Sequence, residues 1–246
     1  MLYPIILTFL AGFATLIGII PIFSKIKNKD YIIASSCAFA SGVMICISIL
    51  DLIPESIRYL SNYFNSFLVI ILCFIFLFLG ITLSMIMDNY IDKVSNGGNL
   101  FKVGILSMIA IIMHNIPEGI VTFIVSNKNI MLGLSICIAI ALHNIPEGIS
   151  IAVPIYYSTG SKKKAIFYTF LAGLSEPIGA ILTGLFLVNY VNDIVLGLLF
   201  ALIAGIMIQI GSSKLLPTGN EYNKGFARIF FIIGFIIMLV SLVLMG

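Results

Sequence analysis

The stretch Lys102–Tyr157 reads "KVGILSMIAIIMHNIPEGIVTFIVSNKNIMLGLSICIAIALHNIPEGISIAVPIYY". Two apolar runs, each longer than the ~20 residues that cross a bilayer, are joined only by Ser126–Asn129. Each run carries the heptapeptide HNIPEGI, at His114–Ile120 and again at His143–Ile149. So short a joint between two spanning runs dictates an antiparallel helical hairpin. Working outward, further apolar windows give spans at roughly 3–24, 31–54, 66–87, 102–125, 130–157, 163–188, 194–216 and 226–245. The expected fold is all-α, a polytopic membrane protein with eight transmembrane helices forming one domain over residues 1–246.

Composition supports the same class. The chain is 61% hydrophobic and 9% charged, with a mean hydropathy of +1.19, which leaves no polar sequence to coat a soluble core. Its partner is the lipid bilayer. The 13 Lys and Arg against 10 Asp and Glu are too balanced and dispersed for nucleic-acid binding. Cys37, Cys46, Cys73 and Cys137 lie in apolar runs without C-x-x-C spacing and read as small hydrophobes. The first run, Tyr3–Phe23, lacks the basic start and small-residue cleavage site of a signal peptide and reads as the first span.

Orientation follows from Lys and Arg. The odd-numbered connections and their flanks hold Lys25, Lys27, Lys29, Lys93, Lys102, Lys162, Lys163, Lys164, Lys214, Lys224 and Arg228, whereas the opposite side holds Arg58 and Lys128. This bias puts the odd connections in the cytoplasm and both termini outside.

Ionisable residues at mid-membrane are costly and point to function. His114, His143 and Glu176 fall near the middle of the fourth, fifth and sixth spans. At 100° per residue, i and i+4 lie about 40° apart, so His114 points with Glu118 and His143 with Glu147. Asn115 and Asn144 lie on the adjoining flank, about 60° from their glutamates. Pro117 and Pro146 each free a carbonyl four residues earlier, at Met113 and Leu142, and Pro177 repeats the device after Glu176. Freed backbone at such depth is tolerated where it lines a site, and a motif repeated on antiparallel helices gives local two-fold pseudo-symmetry. Imidazole, amide and carboxylate donors suit zinc, iron, manganese or cobalt, held as one ion or as two bridged by a glutamate. Met44 reads as apolar filler. Asp51 and Glu55, in "ISILDLIPES" near Pro54, read either as a cation entrance or as an interfacial helix end.

The paired HNIPEG segments, "LDLIPES", "GLSEPIGA" and "AGIMI" followed by "LLP" resemble the ZIP (Zrt/Irt-like) family of divalent-metal transporters, most closely its bacterial zinc transporters. The resemblance runs essentially the whole length. It implies a ZIP-type bundle in a bacterial inner or plasma membrane that imports zinc, with iron, manganese, cobalt or cadmium as further substrates and no resident cofactor. It also implies a metal site of His114, Asn115, Glu118, His143, Asn144, Glu147 and Glu176, with Met44 matching a second-span position associated with metal. Three features depart from the family pattern. Asn144 and Ile151 replace the richer HExxHE-type fifth span, Lys214 stands where an acidic "LDELLP" is common, and the histidine-rich cytoplasmic loop is missing. Small-residue faces permit a homodimer without requiring one.

The rival readings are an intramembrane metal-dependent hydrolase, a metal exporter, or a scaffold whose polar residues only join helices. A hydrolase needs a metal-activated water and a base, but there is no H-E-x-x-H, and two histidines supply a three-ligand catalytic zinc poorly. Because imidazole binds metal only when neutral, protons compete with the ion. Initial metal uptake should therefore slow on acidification, and a rate profile flat from about pH 5 to 7.5 would contradict histidine ligation.

Overall fold

The structure is a computed structural model that describes residues 2–26, 28–94, 97–187 and 192–245. Lys27 and residues 188–191, at the end of the sixth window and the start of the next connection, lie outside the described residues. All regular elements described are helical. They are α1 (Leu2–Ala14), which tightens into a 3₁₀ segment at Thr15–Phe23; α2 (Lys29–Ile47); a π turn at Ser48–Leu52; and α3 (Ile53–Ser61). There follow α4 (Ser66–Val94), α5 (Asn99–Lys128), α6 (Ile130–Thr159), α7 (Lys162–Leu182) with a π turn at Thr183–Leu187, and α8 (Asp193–Ile210). A π turn at Gly211–Leu215 leads into α9 (Leu216–Met245). Seven helical runs among the described residues are long and apolar enough to span a membrane, so the protein is an all-α, multi-span membrane bundle.

Local chemistry explains the boundaries. Asn129 alone separates α5 from α6. It takes extended backbone angles, and its Oδ1 accepts from the amides of Met131 and Leu132, capping α6. Pro54 and Pro217 follow two of the π turns. A proline has no amide hydrogen, so the carbonyls of Leu50 and Ser213 lose their usual partner, and the backbone widens just ahead. Pro117 and Pro146 instead sit inside uninterrupted helices.

The polar segment 217–225, expected as an open connection, is helical except at Asn223 (φ −160°, ψ 101°). Asn223 Oδ1 accepts from the Phe226 amide at 3.0 Å and so caps the arm that follows. Contacts along α2 show that the chain reverses there. Ser41 donates to the Gly211 carbonyl, and Gly219 lies against Ala34. Past the break, Phe226 stacks on Tyr31, and Gly234 and Phe231 reach Phe39 and Gly42. The chain thus passes down α2 and back up it.

Glycine places the helices in contact. A Cβ on Gly119 of α5 would run into the Glu176 carbonyl of α7, and one on Gly179 of α7 would run into the Ile116 carbonyl of α5. Gly12 of α1 and Gly173 of α7 block one another in the same way, as do Gly18 in the 3₁₀ segment and Gly148 of α6. With lipid as apolar as leucine, such close van der Waals packing is a main source of helix association. Burial grades accordingly. In the most apolar windows, 78% of the α2–α3 run is buried but only 17% of α4, so α2 is central and α4 faces lipid. Replacing Gly119 by Val should cost at least about 1–3 kcal/mol through overpacking, read as a lower melting temperature in detergent. Gly98→Ala, where a Cβ meets nothing within 4 Å, should leave the transition near wild type.

Candidate metal site

His114 is the sixteenth of 30 residues in α5 and His143 the fourteenth of 30 in α6, so the hairpin closed at Asn129 brings them to one depth. The imidazole centroids are 6.1 Å apart, and Glu118 lies between the rings. His143 Nε2 donates to Glu118 Oε1 at 2.9 Å. His114 Nε2 is 3.2 Å from the same oxygen and 3.7 Å from Glu147 Oε1. Ligand atoms of His114, Glu118 and His143 all fall within 4.8 Å of one another. Such spacing suits donors arranged about one ion at bond lengths of roughly 2.0–2.2 Å.

The amides fasten the site to its walls. Asn115 Nδ2 donates to the Ala172 carbonyl of α7 at 3.3 Å. Asn144 Nδ2 donates to the Ala11 carbonyl of α1 and to Glu176 Oε2, both at 3.0 Å. The remaining polar valence is unspent. Both oxygens of Glu147, Oε2 of Glu118, Oε1 of Glu176, Oδ1 of Asn115 and Asn144, and Nδ1 of His114 are buried without a hydrogen-bond partner. Carboxylate oxygens buried in that way are costly unless they meet positive charge. Glu118 and Glu147 facing two imidazoles at mid-bundle are therefore an arrangement suited to a cation, whereas Glu176 is held beside it through Asn144 and is not among the three clustered ligand groups.

Met44 is fully buried in the main apolar core, and its carbonyl accepts from Ser48 Oγ. Asp51 and Glu55 line a cavity of about 600 Å³ whose inner wall includes Glu118 and His143. Arg58 and Tyr59 share that cavity; Arg58 forks onto Glu55 and lies over the Tyr59 ring at 4.8 Å. Val125 and Leu132 beside the hairpin and Leu242 near the C-terminus also line it, so it opens at the hairpin end of the bundle. Lys214 is paired with Asp88 of α4 at 2.5 Å, so its charge is neutralised within the bundle. All four cysteines are buried and free.

Sequence reasoning overlooked the contribution of α1. The pentapeptide TFLAG occurs at Thr8–Gly12 and at Thr169–Gly173, and the second copy leads directly to Glu176. That repeat was the available signal that α1 and α7 are paired walls.

A multi-span bundle with a buried histidine–carboxylate cluster, reached from one end through a mainly apolar cavity that carries Asp51, Glu55 and Arg58, defines a membrane protein that handles metal ions. The family described as ZIP Zinc transporter matches residues 92–242. The zinc transporter ZupT of Streptococcus mutans is 41% identical, the alignment covering 97% of this chain and 96% of that protein. The ZupT proteins of Clostridium perfringens (38% identical, 99% and 96% covered) and Campylobacter jejuni (36%, 98% and 96%) are similar throughout. This chain belongs to the ZIP zinc transporter family, and is a multi-pass bacterial membrane transport protein rather than an enzyme.

Zinc that binds the folded site stabilises it by about 2.7 kcal/mol at a hundred times its Kd. Zinc should thus raise the melting temperature of the detergent-solubilised protein. Glu118→Gln, which weakens the oxygen shared by both imidazoles, should remove most of that increase, measured against the variant's own metal-free transition.

Proposed function

We propose that this protein imports divalent metal, principally zinc, into the cytoplasm through a mid-membrane site on α5, α6 and α7. The observation that carries the reading is Glu118 Oε1 held between the two imidazoles, with Glu147 within reach of His114. The proposed ligand set is His114, Asn115, Glu118, His143, Asn144, Glu147 and Glu176. Met44 joins it by resemblance alone. Mixed nitrogen and oxygen donors accept iron, manganese, cobalt and cadmium as well, in one- or two-ion occupancy.

The reversal at Asn223 supports an eight-crossing topology. The run Asp193–Leu244 has 52 residues, about 78 Å as a straight helix, against a hydrocarbon core of about 30 Å. Two crossings fit that length. With eight crossings, the Lys and Arg bias places both termini outside and the Asp51–Glu55 cavity on the outer face. A hydrated dication enters there, and water is exchanged for Glu118, His143 and His114, then for Glu147. Access passes from one side to the other around this fixed site. Release inward requires that binding be moderate, and surplus carboxylates with flexible occupancy meet that need better than a closed tetrahedral cage.

The test is initial uptake of radiolabelled zinc into proteoliposomes, with the other four metals as competitors. Saturable influx should be seen, and Glu147→Gln should reduce it at least tenfold. Influx no greater than in empty liposomes, with insertion in both orientations verified, would refute import.

A further inference from the structure

The walls of the site are related by an internal repeat. Asn115 donates to Ala172 and Asn144 donates to Ala11, and these alanines occupy the same place in the two TFLAG segments. Gly119 is closed by the Glu176 carbonyl and Gly148 by the Thr15 carbonyl. Glu176 and Thr15 each stand four residues beyond those alanines. Gly12 and Gly173, the equivalent glycines, meet each other where the two walls cross. Thus α5 on α7 and α6 on α1 are the same docking made twice, and Thr15 holds the position that Glu176 holds on the other wall.

Thr15 has further unusual features. Its side chain is completely buried. Thr8, Thr169 and Thr183 return their hydroxyls to carbonyls three or four residues earlier in their own helices, whereas Thr15 Oγ1, like Thr122 Oγ1 one turn beyond Glu118, is buried without a hydrogen-bond partner; of these two, Thr15 alone stands at the place equivalent to Glu176. Asn144 donates to the Glu176 carboxylate. The matching Asn115 Nδ2 donates to the Ala172 carbonyl, with no second acceptor corresponding to Glu176 among the described residues, and the Oδ1 of both asparagines is without a partner. A buried hydroxyl that spends nothing on its own helix is available to a ligand.

We propose that Thr15 is a further residue of the transport site, the uncharged counterpart of Glu176. Its hydroxyl serves the Asn115 half of the site, giving an oxygen to the ion or a hydrogen bond to water the ion retains. The site is then electrically lopsided. The Asn144 half carries the Glu176 carboxylate and the Asn115 half carries a neutral alcohol, so the ion is held by three glutamates where perfect symmetry would place four. Such a hard oxygen favours manganese relative to a purely nitrogen-rich set, which makes Thr15 a specificity residue. This inference rests on the metal-import reading.

The experiment compares Thr15→Val, Thr15→Ala and Thr15→Ser with wild type and with Glu147→Gln in the full-length protein. The readouts are the metal-free melting temperature, zinc and manganese affinity from metal-induced thermal shifts, and KM for uptake in proteoliposomes. Thr15→Val and Thr15→Ala should weaken zinc binding about threefold to tenfold, the range of one lost hydrogen bond, and manganese binding by more. Thr15→Ser should restore both affinities. Thr15→Val should also raise the metal-free melting temperature, because it removes an unpartnered buried hydroxyl. Metal affinity and KM unchanged in Thr15→Val and Thr15→Ala would overturn the proposal, as would equal loss in Thr15→Ser, which would trace the effect to the methyl group at the helix crossing. If the metal signals of wild type do not depend on Glu147, the import reading fails as well; a Glu147-dependent signal indifferent to Thr15 removes only the role of Thr15.

Discussion

The governing interaction is the sharing of one carboxylate oxygen by two imidazoles in a medium that offers no water. His114 and His143 both address Glu118 Oε1, at 3.2 and 2.9 Å. In hydrocarbon these groups cannot be left facing lipid. The hairpin α5–α6 must therefore hold its two motif faces together, and α1 and α7 must seal the flanks. Glu176 and Glu147 add carboxyl groups that no lysine or arginine among the described residues pairs with. An ion that satisfies them relieves the least favourable feature of the bundle, so binding energy and structural demand coincide.

The repeated heptapeptide divides its work by position. Its histidine and glutamate are the proposed donors, its asparagine ties to a backbone carbonyl of the neighbouring wall, and its glycine lets that wall approach. Gly119 directly follows Glu118, and Gly148 directly follows Glu147. Each carboxylate is thereby placed at the tightest point of a helix crossing, where sideways movement of the backbone is most restricted. Chemistry and packing are specified by adjacent residues, which explains why the motif recurs as a block.

Much of this was legible in the sequence because helical periodicity is local. The i and i+4 spacing put His114 with Glu118, and the four-residue joint set the hairpin. Periodicity cannot say which helix carries a partner, so Asn144 with Glu176 and Asn115 with Ala172 emerged only in three dimensions. The 3₁₀ segment Thr15–Phe23 was also hidden, because its apolar residues satisfy an α-helical window equally well. Polar composition misled at 217–225. Pro217 is accommodated by the π turn Gly211–Leu215 just ahead of it, and the reversal is concentrated in the single residue Asn223. The TFLAG repeat was visible but meaningless until the two copies were seen to receive equivalent asparagines.

Why the site should be asymmetric at all follows from what a transporter must do. A pair of identical halves would hold an ion equally from both sides, with no preferred path for ligand exchange. Here the cavity of about 600 Å³ reaches Glu118 and His143, whereas Glu147 and Glu176 are fully buried. On the proposed import route, an ion arriving through the cavity meets Glu118 and His143 first and the enclosed carboxylates afterwards. On that route donors would be exchanged a few at a time, so no single exchange would have to break the whole coordination shell at once. The order of burial, Glu118 before Glu147, is itself a direction inscribed in the bundle, and it runs from the cavity mouth toward the interior.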